Sequence, residues 1–235
     1  GREGKNDLGY QGDNTGENIS NLNPYYCELT GLYWAWKNLD VDYLGLVHYR
    51  RYFARKTILY KENTDINQVI LNQEDVEKQL EQADVIVPKK RRYYIETLYS
   101  HYSNTHDSSH LDETRKVISE LTPDYLTSYD KVMKQNSGYM FNMFIMSKEL
   151  TDRYCSWLFP IIKELYERID VSEYTPFEAR LFGRISELLF NVWIVKNELT
   201  VKEMPFIYMD KVDFIRKLKS FLFAKFFNQK YGKSF

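Results

Sequence analysis

The sequence has few cysteines and no excess of charge of either sign, and each shortage argues against a class of protein. The two cysteines, Cys27 and Cys155, lie in apolar and helical surroundings, which favours buried free thiols in a reducing compartment over a disulfide framework. The 32 basic residues nearly balance the 33 acidic ones, so a nucleic-acid binder with a basic surface is not expected. With no run of 18 apolar residues and no signal peptide, neither a spanning helix nor a leader is expected.

Aromatic residues are the abundant feature of the chain. It contains 20 tyrosines, 14 phenylalanines and 4 tryptophans among 235 residues. Rings with a polar edge suit the faces of sugars and nucleobases, although they also fill cores and interfaces. The hydrophobic fraction of 43% supports one large domain with a proper core.

Short apolar runs alternate with helical segments along the chain. Strands are predicted at 43–49, 84–87, 139–146 and 201–203. Helices are predicted at 24–38, 72–82, much of 94–135, 148–169 and 176–196, whereas residues 1–24 have the composition of a loop. This alternation predicts an α/β sheet layered by helices.

Residues 12–20 form the first candidate site, as a ligand-binding loop. Small and amide residues let a backbone approach a ligand, and a carboxylate such as Asp13 accepts from a ribose or base. Asn14 and Asn18 belong to the same loop. The spacing fits neither a Walker loop nor a dinucleotide fingerprint, and an ordinary surface turn is the alternative.

Two basic clusters follow predicted strands. His48, Arg50 and Arg51 end the first strand, where open α/β sheets bind ligands, and paired guanidinium groups suit a diphosphate. The run 89–92, which includes Arg92, follows the second strand, with His101 nearby. Solvated surface charge is the alternative for both clusters, and no zinc-ligand spacing accompanies the histidines.

Two further candidates are Asn142 and a charged helix, each next to apolar residues. Asn142 falls within the predicted third strand, where its amide must find hydrogen bonds in the core or meet a sugar hydroxyl. The helix 176–196 carries Glu178, Arg180, Arg184 and Glu187. Because Arg184 and Glu187 are three residues apart, they can pair on one face, as a structural ion pair or as a positioned catalytic group.

Several longer segments together resemble one family, domain of unknown function 4422 (DUF4422). They are residues 12–20, 26–38, 45–53, 141–146, 154–159 and 180–190. The resemblance implies a GT-A-like glycosyltransferase from a bacterial capsular or exopolysaccharide gene cluster, some members being linked to galactofuranose transfer from the UDP-sugar. Members begin with a further strand before the position of Gly1, so the sheet here is expected to lack its first strand.

One departure from the GT-A pattern concerns the metal. Such enzymes place Asp-x-Asp at a strand end to hold Mn²⁺ or Mg²⁺, whereas the triplet Asp40-Val41-Asp42 precedes the first strand here. His48 is an alternative ligand, and the need for a divalent metal stays open.

The resulting hypothesis is a glycosyltransferase that moves a sugar from a UDP-sugar to a lipid-linked oligosaccharide. The proposed catalytic carboxylates are Glu187 first and Glu178 second. The proposed donor-binding residues are Asp13, Asn14, Asn18, His48, Arg50 and Arg51, and the proposed acceptor-binding residues are Arg92, His101, Asn142, Arg180 and Arg184. The rival hypothesis is a non-catalytic carbohydrate-binding or assembly module.

The chain is expected to divide at residue 210. Residues 1–210 would form the GT-A-like domain, and 211–235 a basic amphipathic helix in which lysines alternate with phenylalanines and leucines. Such a helix suits an anionic membrane surface, where each basic residue contributes about 1 kcal/mol. This predicts a cytoplasmic protein, peripheral on the inner face of the membrane. Packing on the domain itself or on a second subunit is the alternative.

Overall fold

A computed structural model of the protein describes residues 1–57 and 65–209. The strands are β1 (Tyr43–Leu46), β2 (Arg51–Phe53), β3 (Val85–Pro88), β4 (Arg91–Arg92), β5 (Ser137–Gly138), β6 (Phe144–Ser147), β7 (Val201–Met204) and β8 (Phe206–Tyr208). The helices are α1 (Asn23–Tyr26), α2 (Leu29–Asn38), α3 (Ile66–Val69), α4 (Gln73–Leu80), α5 (Leu98–Thr105), α6 (Ser109–Leu121), α7 (Leu126–Met133), α8 (Lys148–Arg168) and α9 (Leu181–Lys196). Short 3₁₀ turns lie at Ser20–Leu22, Pro123–Tyr125 and Glu178–Arg180.

A mixed sheet in the order β1-β6-β3-β7 forms the centre of the fold. Strand β6 runs antiparallel to both β1 and β3, and β3 runs parallel to β7. Strands β1, β3 and β7 therefore end at the edge where β6 begins. We call this edge the C-terminal edge. It matters because open α/β sheets bind ligands just beyond the carboxyl ends of their parallel strands.

The burial of each strand follows its place in the sheet. The first three residues of β3 are completely buried, which explains why this segment is a continuous apolar run instead of an alternating one. Strand β1 lies at an edge of the sheet and alternates, with Tyr43 45% exposed and Leu44 buried. Two small additional ladders, β2-β8 and β4-β5, accompany the main sheet.

Helices α8 and α9 supply most of the core that packs on the sheet. The buried residues of α8 recur at helical spacing and form one apolar face, whereas α9 is buried on nearly all sides. Tyr154 of α8 packs against Phe190 and Trp193 of α9 at ring distances of 5.3 and 5.1 Å, and Phe144 of β6 stacks on Phe190. Burying one such phenylalanine contributes roughly 1.5–3 kcal/mol, so this cluster fixes α9 on the sheet.

The α/β prediction is confirmed, but three element predictions need correction. The helix predicted at 24–38 breaks at Cys27, which has a positive φ of 54° and lies between α1 and α2. The strand predicted at 43–49 ends at Leu46, and residues 47–50 form a turn that leads to β2. The strand predicted at 139–146 consists of a turn followed by β6, because Phe141 and Asn142 have positive φ. Strand β8, beyond Pro205, was not predicted.

Two predictions about the ends of the chain are not tested. The amphipathic helix predicted at 211–235 lies outside the described residues. The boundary at 210 and the implied additional first strand stay predictions. In the part of the chain that the structure describes, no helix has both the length and the apolar composition needed to cross a bilayer.

Candidate active site

Polar side chains from four separate segments meet at the C-terminal edge. His48 follows β1, Lys90 follows β3, Glu203 lies near the end of β7, and Asn142 precedes β6. Lys90 lies over the Tyr139 ring at 4.9 Å, and the Tyr139 hydroxyl donates to Glu203 at 3.2 Å. The sheet topology alone accounts for this meeting, since the four segments are distant in sequence.

A buried hydrogen-bond network lies at this edge. The Asn142 amide donates to a Glu28 carboxylate oxygen at 2.6 Å and to the Gly183 carbonyl at 3.0 Å. The Ser186 hydroxyl lies 3.0 Å from the Asn142 amide oxygen, and His48 Nε2 lies 3.6 Å from Glu28. We call Glu28, His48, Asn142 and Ser186 the Glu28–Asn142 network. It ties the start of α2 to α9 through a side chain that is only 3% exposed.

The network holds a turn in a conformation that few residues adopt. Phe141 and Asn142 have φ of 79° and 49°, in the left-handed region where asparagine is tolerated better than most residues. The Phe141 carbonyl accepts a hydrogen bond from His48 Nε2 at 2.8 Å, so this ring nitrogen carries a proton. The turn is thus fixed from one side by His48 and from the other by Glu28.

Glu187 lies on α9 beside this turn and has a strongly perturbed acidity. Burial, followed by repulsion from the Glu28 carboxylate, raises the pKa of Glu187 to about 7, and the Phe141 backbone amide, His48 and Arg51 offset only part of this rise. For Glu28 itself burial opposes ionisation, but hydrogen bonding and the charge of His48, together with Asn142, lower its pKa overall. The two carboxyl groups therefore have opposite tendencies: Glu28 stays ionised while Glu187 titrates near neutral pH.

Asn191 anchors the neighbouring backbone to the same helix. Its amide donates to the carbonyls of Glu187 and Tyr139, both at 2.8 Å, and its oxygen accepts from the Tyr139 backbone amide at 2.7 Å. Asn191 is 4% exposed. The segment from Tyr139 to Asn142 is therefore bonded to α9 at both of its ends.

The two predicted donor-binding arginines differ in their surroundings. Arg51 begins β2 and is only 7% exposed, with its guanidinium 4.3 Å from the Phe141 ring and 5.1 Å from the Tyr208 ring. Arg50 lies in the turn before β2, is half-buried, and has its guanidinium 5.0 Å from the exposed Tyr49 ring. The positive charge of Arg51 lowers the pKa of Glu187. Arg50 lies nearer the surface.

The other charged residues of the 176–196 helix have main-chain and thiol partners. The Arg184 guanidinium donates to the Phe177 and Glu178 carbonyls, and within the described residues no ion pair joins it to Glu187. Arg180 Nε lies 3.1 Å from Cys27 Sγ. The Glu178 carboxylate accepts from the backbone amide and hydroxyl of Thr175. The predicted Arg184–Glu187 pairing is wrong, because the environment of Glu187 is set by Glu28 and the Phe141 turn.

The predicted donor loop around Asp13 is internally bonded. Asp13 Oδ1 accepts from the Arg2 amide and the Ser20 hydroxyl, both at 2.6 Å. Burial opposes ionisation, but hydrogen bonds, chiefly from Ser20 and Thr30, lower the pKa of Asp13 to about 2. The Asn18 side chain bonds the backbone of its own turn, and Asn14 is exposed. The carboxylate thus holds the loop together.

The remainder of this loop rests on the far end of α2. Trp34 donates to the Thr15 carbonyl at 2.9 Å, and Asn38 donates to the Glu17 carbonyl at 2.8 Å. Asn38 lies ten residues beyond Glu28, about 15 Å along the helix. Within the described residues no hydrogen bond or ion pair joins the loop to Glu187 or to the Glu28–Asn142 network, although Asp13 is bonded to Thr30, two residues beyond Glu28.

The predicted acceptor residues Arg92 and His101 lie on another flank. Arg92 is exposed on β4, and His101 packs on the Tyr93 ring at 4.0 Å while Glu96 lies 2.7 Å from its Nδ1. Burial, only partly offset by Glu96, lowers the pKa of His101. The negative charge of Glu187 contributes to raising the pKa of Tyr93, so this flank adjoins the Glu187 site.

Comparison with known proteins identifies the family. The model of a domain of unknown function, DUF4422, matches residues 1–198. The chain belongs to the DUF4422 family. Among solved structures, the apo structure of the bifunctional glycosyltransferase WbbM is similar to this chain, with a TM-score of 0.79 and 32% sequence identity. The similarity covers 88% of this chain and 40% of the WbbM chain, so this chain spans less than half of WbbM. No curated protein sequence matches it.

The described part of this DUF4422 chain is a poor fit for a divalent metal. No three His, Cys, Asp or Glu side chains gather there as metal ligands. Asp40 and Asp42 precede β1 and lie at the opposite edge of the sheet, where the Asp42 carbonyl accepts from the Lys148 amide. His48 has Nε2 engaged by the Phe141 carbonyl. We therefore assign no step of the reaction to a metal.

Sequence reasoning missed Glu28 and Ser186 of the DUF4422 site. Glu28 is the lone carboxylate within the aromatic stretch 24–36, and an ionisable group in such surroundings was a usable signal. Ser186 gave no signal, because a serine on an apolar helix face is commonplace. Glu187 was predicted as a candidate from its apolar surroundings, but the ion pair with Arg184 that was considered for it does not form.

Proposed function

We propose that this chain is a glycosyltransferase whose reaction takes place at the C-terminal edge, with Glu187 as the general base. The observation that carries the proposal is a carboxyl group with a pKa of about 7, beside a second, ionised carboxylate. A general base works best when its pKa lies near the operating pH. The similarity to a glycosyltransferase structure supports the choice of glycosyl transfer among base-assisted reactions.

In an inverting transfer the acceptor hydroxyl oxygen attacks the anomeric carbon of the donor sugar. The new carbon–oxygen bond forms as the bond to the diphosphate breaks, and the nucleoside diphosphate leaves with the bonding electron pair. Glu187 takes the hydroxyl proton. The negative charge on the departing diphosphate needs fixed cations to stabilise it. We assign the direct hydrogen bonds to Arg50 and a longer-range electrostatic contribution to the buried Arg51.

The proposed donor is a UDP-sugar, and this choice rests on the family resemblance. The candidate for the transferred sugar is galactofuranose, and the proposed acceptor is a lipid-linked oligosaccharide of a bacterial surface polysaccharide. Release of UDP only when donor and acceptor are both present would distinguish this enzyme from a carbohydrate-binding module. A module would bind the saccharide and leave the donor intact.

UDP is expected to raise the melting temperature of the protein more than ADP or GDP does. A ligand that binds only the native state stabilises it by RT ln(1 + [L]/Kd), which is about 2.7 kcal/mol at a hundred times Kd. The measurement is a thermal shift series with the three nucleotides at equal concentration. Equal shifts, or no shift, would remove the assignment of the donor.

Replacing Arg50 with lysine is expected to lower the transfer rate roughly a hundredfold, because the lysine loses the forked donor that spans two phosphate oxygens. The pH dependence should not change.

Replacing Arg51 with methionine removes a charge that favours ionised Glu187, so the midpoint of the pH–rate profile should move to higher pH.

EDTA provides the control for this pair of variants. We expect EDTA to leave the wild-type rate largely intact, since arginines carry the diphosphate charge in this proposal. Full activity of Arg50→Lys together with complete loss in EDTA would show that a metal carries that charge instead.

A further inference from the structure

A cleft of about 530 Å³ opens on the flank of the sheet that carries β4 and β5. Its walls are the segment from Lys90 to Thr97 and the segment 134–137. The lining is mixed: the Tyr94 ring and Ile95 are apolar, while Lys90, Lys134, Gln135 and Asn136 are polar. None of the catalytic or diphosphate-binding residues discussed above lines it.

Tyr94 is presented to solvent by a loop that main-chain hydrogen bonds hold on both sides. Its side chain is 81% exposed, and its φ of 57° is a left-handed conformation that costs an aromatic residue free energy. Main-chain bonds hold the loop on both sides: the Tyr93 amide donates to the Asn136 carbonyl at 2.8 Å, and the Leu98 amide donates to the Gln135 carbonyl at 2.7 Å. A strained backbone that exposes an aromatic ring indicates a function for that ring.

The charges around the cleft restrict its ligand. Lys90 and Lys134 are cationic, and Lys90 is held over the Tyr139 ring. The carboxylate oxygens of Glu96 face other partners, one 2.7 Å from His101 Nδ1 and one accepting from Asn104 at 3.1 Å. The cleft therefore disfavours a cationic ligand. Ammonium, amide and hydroxyl groups around an exposed ring suit the hydroxyls and the apolar face of a sugar.

The cleft is joined to Glu187 by a short chain of contacts. Lys90 packs on the ring of Tyr139, both backbone groups of Tyr139 bond Asn191, and Asn191 bonds the Glu187 carbonyl. Asn191 lies one turn beyond Glu187 on α9, about 6 Å along the helix axis. The charge of Glu187 also acts on Tyr93, the chain neighbour of Tyr94, so the cleft lies on the flank that adjoins the proposed base.

We propose that this cleft is a saccharide-binding subsite in which a sugar ring of the acceptor stacks on Tyr94 and its hydroxyls bond Lys90, Lys134 and Asn136. Its role as the acceptor subsite rests on the proposed function. Saccharide binding by the cleft does not, because it can be measured without transfer.

Saturation-transfer NMR on the full chain tests the subsite. The probes are the methyl glycosides of galactopyranose, galactofuranose, glucose and mannose. We expect at least one to receive saturation from the wild type, and Tyr94→Ala to reduce that signal at least fivefold. Tyr10→Ala is the matched control, because Tyr10 is 83% exposed and lies outside the cleft. No transfer to any probe, or equal signals from Tyr94→Ala and the wild type, would overturn the proposal.

A second readout separates this proposal from the proposed function. If Tyr94→Ala raises the acceptor KM about tenfold and leaves UDP binding unchanged, the cleft is the acceptor subsite. If the wild type binds a glycoside at Tyr94 but transfers no sugar, the glycosyltransferase assignment fails and the saccharide subsite stands.

Discussion

Replacing Glu187 with glutamine is expected to lower the transfer rate by at least about a hundredfold, because a positioned general base typically contributes 10²–10⁴ in rate. In the wild type the rate should rise with pH through about 7, as Glu187 loses its proton. The variant should show no such rise. The measurement is the initial rate of sugar transfer between pH 5.5 and 8.5 at saturating donor and acceptor.

The same substitution is expected to stabilise the fold at high pH. Glu187 has a pKa of about 7 in the folded protein against an ordinary value of 4.5, so ionising it costs stability as the pH rises through this window. Below pH 4.5 this cost is absent, and above pH 7 it reaches up to about 3 kcal/mol. Glu187→Gln should therefore unfold at a higher temperature than the wild type at pH 8, and the difference should shrink towards pH 5.

Glu178→Gln is the control for both measurements. Glu178 is exposed, and its carboxylate bonds Thr175 at the start of a 3₁₀ turn. Its substitution should leave the pH profile of transfer unchanged. If Glu178→Gln abolishes transfer and Glu187→Gln does not, the base has been assigned to the wrong carboxylate.

Replacing Asn142 with aspartate is expected to destabilise the fold by about 3–5 kcal/mol, the range found when a buried charge is left uncompensated. A carboxylate at this position would lie 2.6 Å from the Glu28 oxygen that now accepts from the amide, and it could not donate to the Gly183 carbonyl. Denaturant unfolding at pH 7.5 measures the change in free energy. The loss should lessen at lower pH, where one of the facing carboxyl groups takes up a proton.

Two variants bracket this result. Asn18→Asp makes the same chemical change on an exposed loop and should alter stability by less than about 0.5 kcal/mol. Ser186→Ala removes one neutral hydrogen bond to Asn142 and should cost about 1 kcal/mol. If Asn142→Asp is no more harmful than Asn18→Asp, the Glu28–Asn142 network does not hold the site together.

The sequence predicted the central strands and long helices, because their formation depends on hydropathy patterns within a single segment of the chain. The apolar face of α8 is visible in the chain because burial repeats with the period of a helix, and β3 and α9 are visible as apolar runs because they are buried over almost their whole length. The placement of His48 and Lys90 beyond strand ends also followed from the order of the elements. These features place both residues at the C-terminal edge of the sheet.

The features that the sequence did not reveal depend on the sign of the backbone dihedral φ and on pairing between residues far apart in the chain. The left-handed Phe141 and Asn142 lie within an apolar run, so nothing in their hydropathy separates the turn from β6. The approach of Glu28 to Asn142 joins residues 114 positions apart and depends on β6 pairing with β1. For the same reason Glu187 was predicted to interact with Arg184 of its own helix. In the structure the groups that act on it are the Glu28 carboxylate, just before α2, and the Phe141 backbone amide.

A crystal structure of this chain with UDP bound would test the central claim most directly. We expect UDP at the C-terminal edge, with its diphosphate within hydrogen-bonding distance of the Arg50 guanidinium and its terminal phosphate, which carries the sugar in the donor, directed towards Glu187. UDP bound at the opposite edge, beside Asp40 and Asp42, would contradict the assignment of the active site.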